Sequence, residues 1–73
     1  MGESEVARLR RQIELELEAV QRGLYGLASG TARHEFIRKR MNRVETYQGQ
    51  LAQKVGEETA NEMVYSMYVA TID

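Results

Sequence analysis

Seventy-three residues with ten Lys and Arg against eleven Asp and Glu give one small domain at most, with a formal charge of −1 and a pI near 5.8. The absence of cysteine excludes a disulfide framework and any thiolate metal site. The 42% hydrophobic content, with sixteen Leu, Ile, Val and Phe, lies just above the range of disordered chains, so a modest core is expected, strengthened by helix packing or self-association. No long apolar run and no basic, then greasy, opening segment is present, so a cytoplasmic protein without membrane contact is expected.

The lack of proline, the richness in Glu, Arg, Leu, Ala and Gln, and the want of any alternating apolar run predict an all-α chain of three helices. In the first, over residues 5–28, Val6, Leu9, Ile13, Leu17, Val20, Leu24 and Leu27 recur at steps of three and four and form one stripe. Ser4 is placed to cap it, with Ala7 at the third helical position, so that no capping box closes. Ser29, Gly30 and Thr31 supply the break. Gly30 suits a helix end and Thr31 a helix start, and so short a turn over 29–31 makes the flanking helices antiparallel neighbours.

The second helix, over 32–55, carries Ile37, Met41, Val44, Gln48, Leu51 and Val55 at alternating steps of four and three. Gln48 is the polar member of that seam and needs a partner. Gly56 ends the helix. Glu57 and Glu58 then favour a new N-terminus, and the third helix runs over 57–71. Its apolar residues, among them Ala60, Met63, Val64, Tyr65, Met67, Tyr68, Val69 and Ile72, spread over about two-thirds of its circumference at about 100° per residue. A single hairpin cannot cover so wide a band.

The expected architecture is therefore an antiparallel helical hairpin with a short third helix, completed into a bundle by homo-oligomerisation, with a dimer favoured. The expected interface comprises Val44, Leu51, Val55, Met63, Val64, Tyr65, Met67, Tyr68, Val69 and Ile72. Charge is distributed unevenly: residues 1–28 carry −1, residues 29–55 carry +4 and residues 56–73 carry −4. Pairing positions whose numbers sum to about 60 across the turn brings Glu16 toward Arg43 and Glu18 toward Arg40.

Residues that carry chemistry are few. His34 is the single histidine and has no Ser, Cys or second His at a nucleophile's spacing, so no catalytic residue and no enzyme activity is expected. The carboxylate pairs Glu14 with Glu18 and Glu58 with Glu62 lack the Glu-x-x-His companion of helical metal sites, so neither metal nor other cofactor is expected. Gly23, Gly26 and Gly30 lack the Lys-Ser/Thr of a nucleotide loop. The functional expectation is a non-enzymatic helical interaction or adaptor protein acting as a homo-oligomer, with some other protein as a further partner. The alternative is a nucleic-acid-associated accessory protein, in which Arg33, His34, Arg38, Lys39, Asn42 and Arg43 form an anion-binding band at the start of the second helix.

Overall fold

The computed structural model describes residues 4–26 and 30–72, and these form three helices with no strand among them: α1 (Glu5–Gly26), α2 (Gly30–Val55) and α3 (Glu57–Thr71). Ser4 caps α1. Its Oγ accepts the Ala7 N–H at 3.1 Å, which satisfies one of the otherwise orphaned donors of the first turn, while its carbonyl accepts the Arg8 N–H at 3.0 Å as the first bond of the helical ladder. Gly30 and Thr31 lie within α2 and not in the turn expected at 29–31, while Leu27, Ala28 and Ser29 fall outside the described residues.

The break between α2 and α3 is a single residue. Gly56 adopts φ 93° and ψ 153°, a conformation that a Cβ makes unfavourable. Its N–H still donates to the Ala52 carbonyl at 2.8 Å, and its own carbonyl accepts from Ala60 at 3.0 Å, so both helices keep their end hydrogen bonds while the chain reverses. Helix α3 folds back against α2 and also touches α1.

Leu9, Ile13 and Leu17 of α1, Val44 and Leu51 of α2, and Ala60 and Met67 of α3 make the core, with Val6, Met41, Tyr47, Ala52, Val55, Met63 and Val64 packed around it. Three of the seven core positions lie on α1 at four-residue spacing, so this helix supplies the spine on which the other two rest. Gln48, the polar seam residue, finds its partner on α3, where the Asn61 side-chain oxygen accepts from the Gln48 amide.

The lengths of the helices do not match. At about 1.5 Å per residue α2 is about 39 Å long and α3 about 22 Å, so α3 covers only the half of the hairpin nearest Gly56. The molecule measures 41 × 26 × 19 Å, its long dimension close to the length of α2. It is three helices thick at one end and two at the other.

Candidate functional site

Two surfaces follow from that mismatch. The first is the outward side of α3. Ala60, Met63, Val64 and Met67 point into the hairpin, and with about 100° between successive residues the opposite side carries Glu58, Glu62, Tyr65, Val69 and Ile72, with Tyr68 beside them. Tyr65 is 69% exposed, Tyr68 40% and Val69 39%, and Ile72 is half-buried. The helix is thus apolar on two opposite sides, only one of which its own chain covers.

The second surface is the open groove at the thin end, of about 450 Å³, lined by Leu24 of α1 and by Arg33, His34, Ile37 and Arg38 of α2. On the helical wheel its α2 side centres near the direction of Gln48, the residue that holds α3 farther along. The groove continues the trough in which α3 lies.

Six of the expected interface residues pack within their own chain. Val44, Leu51 and Met67 are buried within their own chain and are unavailable to a partner, while Val55, Met63 and Val64 pack against the same core. A helix that turns back at Gly56 must cover the nearer, C-terminal half of α2, which leaves Leu24 and Ile37 half-buried at the other end. The sequence carries both in its stripes; what it lacked was the side on which the cover falls.

The cross-hairpin ion pairs keep the expected approach of Glu16 to Arg43 but not that of Glu18 to Arg40. Glu16 takes both cations: Arg40 Nη1 donates to its Oε1 at 3.0 Å, and Arg43 Nη1 lies 3.9 Å from its Oε2. Glu18 is exposed. The cause is the facing of the helix. Glu16 stands about 20° from Leu9 around α1 and so within the apolar stripe, whereas Glu18 stands about 180° away. Glu16 is accordingly buried, and Arg40 stays beside it with its guanidinium 5.1 Å from the centre of the Phe36 ring.

The residues of the expected anion-binding band lie along the first half and middle of α2. Arg43 leans to Glu16, Arg33 is half-buried in the groove, and His34 and Arg38 stand on the groove's outer wall, Arg38 with Glu35 at 3.8 Å. Lys39 is exposed about 100° farther round α2 than Arg38. Asn42 is exposed, and its carbonyl accepts the Thr46 hydroxyl at 3.1 Å. Among the described residues no three His, Asp or Glu side chains gather as they would around a metal ion, and no helix is long and apolar enough to cross a membrane.

Fold and surface together define a small all-α protein, a helical hairpin with a folded-back third helix that is apolar on both sides. The chain matches no known protein family, no curated protein and no solved structure.

Proposed function

We propose that this chain is a non-enzymatic helical interaction protein that works as a homo-oligomer, with the outward side of α3 as its contact surface. The observation that carries the reading is the exposure of Tyr65, Tyr68 and Val69 on one side of a helix whose other side is already packed. Two tyrosines and a valine in a row, flanked by Glu58 and Glu62, have the composition of an interface centre with a polar rim. A monomer of this size gains little by exposing them.

Light-scattering mass over a range of concentrations tests it. A mass that rises from the 8.4 kDa of one chain to about twice that value, and a rise that is lost in a Tyr65→Ser/Val69→Ser variant, agree with the proposal. A single-chain mass at every concentration, with full helical circular dichroism, overturns the homo-oligomer.

A further inference from the structure

The thin end of the hairpin and the outward side of α3 are complementary. The groove is a trough between α1 and α2 floored by Leu24 and Ile37, and it prolongs the trough that α3 already fills, so its shape suits a helix. Its walls carry Arg33, His34 and Arg38. The outward side of α3 offers a helix whose first half presents Glu58 and Glu62 and whose second half presents Tyr65, Val69 and Ile72. Each surface lacks what the other supplies: a cationic, apolar trough without a helix, and an acidic, apolar helix side without a trough.

Resting on the homo-oligomer reading above, we infer that the occupant of the Leu24/Ile37 groove is the outward side of α3 from a second copy of this chain. Two such contacts form at once about a two-fold axis, each copy giving its α3 and receiving its partner's. Carboxylates Glu58 and Glu62 then meet the Arg33, His34 and Arg38 wall, which sets the direction in which the helix lies, while Tyr65 and Val69 meet Leu24 and Ile37. The division of charge along the chain, +4 in residues 29–55 and −4 in residues 56–73, favours this cross-pairing over a meeting of like surfaces.

Charge reversal with mixing tests the assignment. Glu58, Glu62, His34 and Arg38 are all exposed, so Glu58→Lys/Glu62→Lys and His34→Glu/Arg38→Glu leave the core untouched, and helical circular dichroism checks that both fold. Each double variant alone faces two repulsive contacts and is expected at the mass of one chain. Mixed in equal amounts they regain complementarity at both contacts, one reversed and one native, and the mass is expected to double. If each variant alone keeps the doubled mass, or if the mixture does not pair, the docking is overturned while the homo-oligomer reading stands. If the unaltered chain never exceeds the mass of one copy, both fall together.

Discussion

Arg40 reaches across the hairpin to hold Glu16, with its Nη1 3.0 Å from the carboxylate Oε1, and it does so while resting against the Phe36 ring. The pair joins a buried acid to a cation about a third exposed, which places it between a surface ion pair and an interior one. It also ties α1 to the basic half of α2 beyond the reach of α3.

Removing the cation is therefore expected to weaken the fold noticeably. Arg40→Ala leaves Glu16 with Arg43 alone, at 3.9 Å, and is expected to lower unfolding free energy by about 1–3 kcal/mol. A double-mutant cycle with Glu16→Gln is expected to give a coupling of about 1 kcal/mol or more, whereas the same cycle on Glu18 and Arg40 gives none. Urea unfolding of the four proteins in each cycle measures both.

The core rests on few side chains. Leu51→Ala removes a fully buried side chain at the meeting of α2 with the α1 spine and is expected to lose about 2–5 kcal/mol, out of a total of about 4–11 kcal/mol for a chain of this length. Leu15, 49% exposed, is the control: Leu15→Ala is expected to change stability by about 0.5 kcal/mol or less. Thermal melts followed by circular dichroism separate the two.

Two glycines of α2 and its end respond to alanine with opposite signs. Neither Gly49 nor Gly56 has a neighbour within 4 Å of an added Cβ, so only the backbone decides. Gly49 is inside the helix, and Gly49→Ala is expected to stabilise by about 0.5–1 kcal/mol. Gly56 sits at φ 93°, and Gly56→Ala is expected to destabilise by about 1–3 kcal/mol. Denaturant midpoints of the two variants check the sign.

The placing of the cations bears on the nucleic-acid reading. With Arg43 turned to Glu16 and Lys39 about 100° round from Arg38, a short duplex is expected to run unretarded in a native gel at low salt. A retarded band that weakens steeply with salt and disappears in Arg38→Glu/Lys39→Glu would restore that reading.

How far the sequence reveals this molecule depends on the property asked for. Helical periodicity identifies three helices, the Ser4 cap and the glycine break at 56, because these are set by local geometry and spacing. Side-chain facing was legible as well: the apolar excess of the third helix and the need of Gln48 for a partner both follow from the wheel. Pairing across the hairpin was legible only in part: the approach of Glu16 to Arg43 follows from the count, the Glu16–Arg40 pair does not. Counting residues to a turn ranks Glu16 and Glu18 alike, and only the rotation of α1 that buries Leu9 and Ile13 carries Glu16 inward and Glu18 out. Nor does a stripe such as Ile37 to Val55 say which of its ends a following helix will cover. That is decided by the single residue between α2 and α3, which leaves the third helix no length of chain with which to reach the far end.

The taper from three helices to two has a further effect, on the order in which the backbone opens. Amides near Leu51 are shut in by neighbours on all three helices, while those near Ile37 are screened, among the described residues, by their own helix and by α1. Deuterium uptake along α2 should thus run as a gradient, quick at the Arg33 end and slow toward Val55.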